Sequence, residues 1–135
     1  MNELFENEND LAHSVIGMAI DIHKTLGPGL DEAIYLNCLK WELESQGIPY
    51  EINCSRDIEY KGLHIPNGYK IDLLINNLLV VELETCENIL EVHIQKVLKS
   101  LRLGNHRLGL VINFNTALLK NGIRRVSNNK NQEID

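Results

Sequence analysis

Cysteine is scarce in this chain. Cys38, Cys54 and Cys86 are odd in number, widely spaced and outside any C-x-x-C pattern. They suggest neither a disulfide framework nor a zinc site, and they point to a reducing compartment, the cytoplasm. Long apolar runs are missing as well. No stretch approaches the roughly 20 residues that cross a bilayer, and the first residues are acidic rather than a basic prelude to an apolar segment, so no membrane association is expected. Positive charge is in deficit: 13 Lys and Arg stand against 19 Asp and Glu, a formal net charge of -6. That balance argues against broad, salt-driven adhesion to nucleic acid. The basic residues gather late, at Lys96, Lys99, Arg102, Arg107, Lys120, Arg124, Arg125 and Lys130, which leaves room for a local basic face.

What is present is enough for one core. A length of 135 residues with 44% hydrophobic content fits a single domain over residues 11–126, preceded by a flexible segment 1–10 and followed by a polar tail 127–135. Leu11, Val15, Met18, Ala19, Ile22 and Leu26 recur at three- and four-residue spacings, predicting an amphipathic helix from Asp10 to Leu26. Gly27-Pro28-Gly29 stops it, and a second helix is expected from Leu30 to Gln46. Strands are expected at Tyr50 to Tyr60, Leu63 to Ile65, Tyr69 to Ile75, Leu79 to Glu84, Leu108 to Phe114 and Ile123 to Val126. A third helix should cover Glu91 to Leu103, and a short turn or helix Thr116 to Asn121. The fold class is α/β, a central mixed sheet flanked by helices.

The loop Asn76-Asn77-Leu78 decides the chemistry, because a one-residue slip exchanges the faces of a strand. With a three-residue loop, Ile75 faces Leu79, Leu73 faces Val81 and Ile71 faces Leu83, gathering six apolar side chains on one face. The other face then opposes Asp72 to Glu82. A two-residue loop would set Asp72 against Val81 and forfeit burial worth about 1.5 to 3 kcal/mol per large side chain. The three-residue loop is therefore preferred, with Asn77 in the left-handed conformation. Two facing carboxylates repel unless a cation or a shared proton relieves them, so the pair points to a hard divalent ion, Mg²⁺ or Mn²⁺, with a plain solvated acidic face as the bland reading.

Around this hairpin the sequence resembles the GxxExxY proteins of the PD-(D/E)xK nuclease-like superfamily. The likeness lies in Gly29-Leu30-Asp31-Glu32-Ala33-Ile34-Tyr35, with Ile22 to Gly29 before it and Gly47-Ile48-Pro49 after. It continues in Gly68-Tyr69-Lys70-Ile71-Asp72-Leu73-Leu74, Val80-Val81-Glu82-Leu83, Leu108 to Phe114 and Gly122-Ile123-Arg124-Arg125. The resemblance implies a PD-(D/E)xK-like core in which Glu32, Asp72 and Glu82 assemble a cleavage site, with the main-chain carbonyl of Leu83 as a further metal ligand. It implies metal-dependent hydrolysis of nucleic-acid phosphodiesters. One position departs: where relatives carry lysine, this chain reads Glu82-Leu83-Glu84. Losing one such electrostatic donor can cost about 100- to 1,000-fold in rate.

Two lysines are candidates to compensate. Lys70 is expected opposite Glu84, chiefly as its ion-pair partner. Lys96 stands on the third helix where relatives often carry a glutamine, and its spacing turns it outward; Gln95 beside it would serve the glutamine role if the helix were slightly rotated. His93 is expected to cap or pack, Tyr35 and Tyr69 to anchor the site from half-buried positions, and Trp41 to pack helix against sheet. His13, His23, His64 and His106 show no ligand spacing. The alternative to a nuclease is an inactive nucleic-acid- or protein-binding module on the same scaffold, and a homo-oligomer is a third expectation.

Overall fold

The computed structural model describes residues 7–128. The outer parts of the expected end segments, residues 1–6 and 129–135 with Lys130, lie outside the described residues. Helix α1 (Glu8–Leu26) starts two residues before the expected Asp10, because the Asn7 side chain accepts the Asp10 N–H at 3.0 Å and caps it. Gly27, at φ 72, ends it. Helix α2 (Glu32–Ser45) follows, then β1 (Tyr50–Tyr60), β2 (Leu63–Ile75), β3 (Leu79–Glu84), α3 (Glu91–Gly104), β4 (Leu108–Asn113), a 3-10 turn at Leu119–Gly122 and β5 (Ile123–Ser127). Ser127 thus belongs to a strand rather than the tail, and Asn128 is tied down by a bond from its N–H to the Arg107 carbonyl.

The five strands form one mixed sheet in the order β1-β2-β3-β4-β5. Only β3 and β4 run parallel, joined by the crossover helix α3; the other neighbours are antiparallel. Helices α1 and α2 cover one face, burying Leu11, Val15, Leu39 and Leu43 against Leu73, Val81, Leu110 and Ile112. Helix α3 covers the other through Val97 and Leu101 on Ile71, Leu74, Val80 and Val111. No helix among the described residues is long and apolar enough to cross a membrane.

The expected break at Pro66-Asn67-Gly68 does not occur; β2 runs unbroken through it. The register shifts between Arg56 and Ile58, and Asn67, at φ 53, donates its N–H to Asp57 Oδ1 at 2.9 Å, so an irregular pairing absorbs the proline and the turn-forming residues. The β2–β3 hairpin adopts the three-residue register, pairing Ile75 with Leu79 and Leu73 with Val81. Both Asn76 and Asn77 take the left-handed conformation, at φ 53 and 55.

The sixfold apolar face is corrected. Ile71 packs in the α3-side core while Leu83 lies in the α1/α2-side core. The β1–β2 ribbon changes face at Asn53, whose left-handed φ of 54 breaks the alternation: Ile52 and Leu73 go to one core, Cys54 and Ile71 to the other. Trp41 is also corrected. It is 66% exposed on α2, since Tyr35, Leu39 and Leu43 already fill that helix's inner stripe.

Candidate active site

The ladder between β2 and β3 ends at Leu73 and Val81. Beyond it β2 stays with β1, while β3 continues with β4 as far as Glu84 and Asn113. Asp72 and Glu82 are the first residues past the split, so their carboxylates line a gap rather than a closed sheet. On the α1/α2 side the gap opens into a cleft of about 170 Å³ lined by Glu32, Leu36, Asn53, Asp72, Val81 and Leu83, among others.

Lys96 enters from α3. Its Nζ donates to Asp72 Oδ2 at 2.8 Å and to Glu82 Oε2 at 3.2 Å. The outward orientation expected from helical spacing is overturned, because the flexible four-carbon stem carries the ammonium back to the sheet from a backbone position at the rim. Gln95 points away, its amide donating to Glu91 Oε2 at 2.8 Å.

The electrostatics follow from packing acids together. Glu82 is only 5% exposed. Burial, reinforced by hydrogen bonding with Glu84 and Asp72, pushes its carboxyl up to about 9, although Lys96 pulls the other way. Burial also acts upward on Asp72, but hydrogen bonds from Glu82 and Lys96 outweigh it and hold that carboxyl below the usual range. Burial works against the Lys96 ammonium, yet its contacts with Asp72 and Glu82 win and raise it. Burial and crowding thus favour the protonated form at Glu82, and the bonds from Glu82 and Lys96 favour the charged form at Asp72.

Glu32 opens α2 and faces the same cleft. Burial raises its carboxyl, followed by the negative charges of Glu84 and Asp72. Its position is fixed by Tyr35, one turn further on. The Tyr35 hydroxyl donates to the Gly27 carbonyl at 2.5 Å and accepts the Leu30 N–H at 3.2 Å, clamping the turn that leads into α2. The ring stacks on Phe114, centroids 4.2 Å apart, at the end of β4. Tyr35 thus anchors the site from full burial. Tyr69 does not: it lies in the α3-side core, its hydroxyl near Gly104.

The expected Lys70–Glu84 ion pair is not formed. Lys70 is exposed opposite Ser55 on the ribbon, beyond the split, and acts on Asp72 only as a nearby positive charge. Glu84 turns instead toward His93, whose Nε2 is 3.7 Å from Oε1. His93 caps α3 as expected, its Nδ1 accepting the Leu90 N–H at 2.8 Å. His23 is a buried core residue bonded to the Thr116 carbonyl at 2.7 Å.

Sequence reading missed two features. Glu84, Cys86 and His93 bring three donor atoms within 4.8 Å of one another. Asn113, 1% exposed, holds the strand after β3: its Oδ1 accepts the Cys86 N–H at 3.1 Å and its Nδ2 donates to the Cys86 carbonyl at 2.9 Å. The only sequence signal was the Glu84-x-Cys86 spacing with a histidine soon after.

The donor types suit a hard divalent ion: Asp72, Glu82 and Glu32 offer carboxylate oxygens, Glu32 and Asp72 facing one cleft and Asp72 and Glu82 meeting at the Lys96 ammonium. A mixed sheet with helices on both faces defines an α/β protein of nuclease-like fold. The chain belongs to the PD-(D/E)XK nuclease superfamily, whose family model matches residues 9–126. No curated protein and no solved structure gives a significant match.

Proposed function

We propose that the protein is a divalent-cation-dependent phosphodiester hydrolase acting on nucleic acid, in which Lys96 of α3 does the work of the motif lysine replaced by Glu84. The observation that carries this reading is the contact of Lys96 Nζ with Asp72 and Glu82 at 2.8 and 3.2 Å. Asp72, Glu82 and Glu32, with the main-chain carbonyl of Leu83, would hold Mg²⁺ or Mn²⁺. Such an ion, when bound, supplies charge to a phosphodiester oxygen and acidifies water. The chain's own part is to hold the acids at a fixed gap, to release the Glu82 proton as the cation enters, and to present the Lys96 ammonium to phosphate. Lys70, exposed nearby, adds positive charge along the ribbon.

The test is cleavage of single- and double-stranded DNA and RNA with Mg²⁺ or Mn²⁺, comparing the natural chain with Lys96→Met and Asp72→Asn. Activity lost by about 100-fold or more in both variants is the expected result. Cleavage unchanged in Lys96→Met would remove that residue's role. No cleavage of any substrate, with nucleic-acid binding retained, would favour the second reading, a binding module, which the replacement of the motif lysine by Glu84 supports.

A further inference from the structure

We infer that Glu84, Cys86 and His93 form a second metal site, one for a thiophilic divalent ion of the Zn²⁺ class, distinct from the hard-oxygen site at Asp72 and Glu82. The inference is independent of the nuclease reading, since it stands on a different donor set. The three donor atoms lie within 4.8 Å of one another. Donors around a tetrahedral zinc ion, at about 2.0 to 2.3 Å from the metal, stand roughly 3.3 to 3.8 Å apart. The remaining difference is about an ångström.

The donor types select the ion. Thiolate, imidazole and carboxylate together suit a borderline-soft metal, whereas Mg²⁺ takes oxygen alone. Three protein ligands leave a fourth position open, the arrangement of a site that keeps a water or takes a substrate atom.

The scaffold holds two of the three donors rigidly. Phe114 N–H bonds to the Glu84 carbonyl at 2.9 Å, and the buried Asn113 amide grips both backbone groups of Cys86. Both residues are therefore locked to the end of β4. The third donor sits in the first turn of α3, and its Nε2 faces Glu84 at 3.7 Å. Glu32 on α2 stands close enough for its charge to act on Glu84.

Hydrogen bonds of Cys86 and His93 must open on binding. Cys86 Sγ now donates to the Asn88 carbonyl at 3.1 Å; as the sulfur–metal bond forms, its proton goes to solvent. His93 Nδ1 now accepts from Leu90 N–H, so the ring proton sits on Nε2. Coordination through Nε2 moves that proton to Nδ1 and releases the Leu90 cap. Metal binding is thus coupled to the entry of α3, the helix that carries Lys96.

The experiment uses the full chain titrated with Co²⁺ in excess Mg²⁺, read by absorption and by NMR of the Leu90 amide and the His93 ring. The expected result is one equivalent of Co²⁺ with an intense thiolate-to-cobalt band, accompanied by a shift of the Leu90 amide. The band persists in Asp72→Asn and disappears in Cys86→Ser, and Glu84→Gln weakens binding by about tenfold or more. Circular dichroism checks that each variant folds. A band that survives in Cys86→Ser would assign the sulfur to another cysteine and overturn the site. So would Co²⁺ spectra of oxygen-only type in the natural chain, or Co²⁺ binding abolished by Asp72→Asn.

Discussion

Gly109 of β4 lies directly beneath Val97 of α3: a Cβ built on the glycine would stand 2.4 Å from Val97 Cγ1 and 3.0 Å from the Val80 carbonyl oxygen. The missing side chain lets the helix seat closely on the sheet, one residue from Lys96. Gly109→Ala is therefore expected to lift α3 and cost about 1 to 3 kcal/mol. Urea denaturation measures it; unchanged stability would mean that the helix has room to spare.

Glu82 makes the metal-free protein sensitive to pH. Its folded-state carboxyl is raised from an ordinary 4.5 to about 9, so the folded chain keeps a proton that the unfolded chain releases. Its contribution is fully present below 4.5 and is lost as pH rises toward 9. Asp72 is shifted downward, and its effect falls below its ordinary 3.8. Lys96 is shifted upward and acts above its ordinary 10.5. Stability in chelator should fall across the window between, and Glu82→Gln should flatten that slope. A natural chain with a flat profile would refute the buried, protonated acid.

Asn113 is the brace of the segment after β3. Asn113→Ala removes the acceptor for the Cys86 and Asn115 N–H groups and the donor to the Cys86 carbonyl. A loss of about 1 to 3 kcal/mol is expected for buried backbone groups left without partners. Hydrogen exchange locates it: Cys86 and Asn115 amides should lose protection first.

Tyr35→Phe keeps the stack on Phe114 but deletes the hydroxyl that joins Gly27 to Leu30. The expected cost is again about 1 to 3 kcal/mol. Leu30 amide exchange should accelerate while the Leu39 and Leu43 amides, on the inner stripe of α2, hold. Uniform loss of protection would instead mean that the ring, not the hydroxyl, matters.

The hairpin register was legible because alternation over Leu73, Ile75, Leu79 and Val81 leaves one pairing that buries all four. The same logic failed at Ile71, where a left-handed Asn53 on the neighbouring strand turns the ribbon over. Periodicity places a Cα, and for Lys96 that was not enough: a long stem on the helix rim reaches either solvent or the acids, and only the position of the sheet decides. Trp41 misled because residue type was weighed over the inner stripe that other side chains already occupied. Glu84, Cys86 and His93 converge across a loop, and no helix or strand period encodes such an approach.

The end of pairing at Leu73 and Val81 has a mechanical consequence. Asp72 rides on a long two-stranded arm whose far tip is the Lys61-Gly62 turn, while Glu82 is built into the parallel half of the sheet. The spacing of the two acids is thus set by where the two strand pairs part, not by a rung that joins them directly.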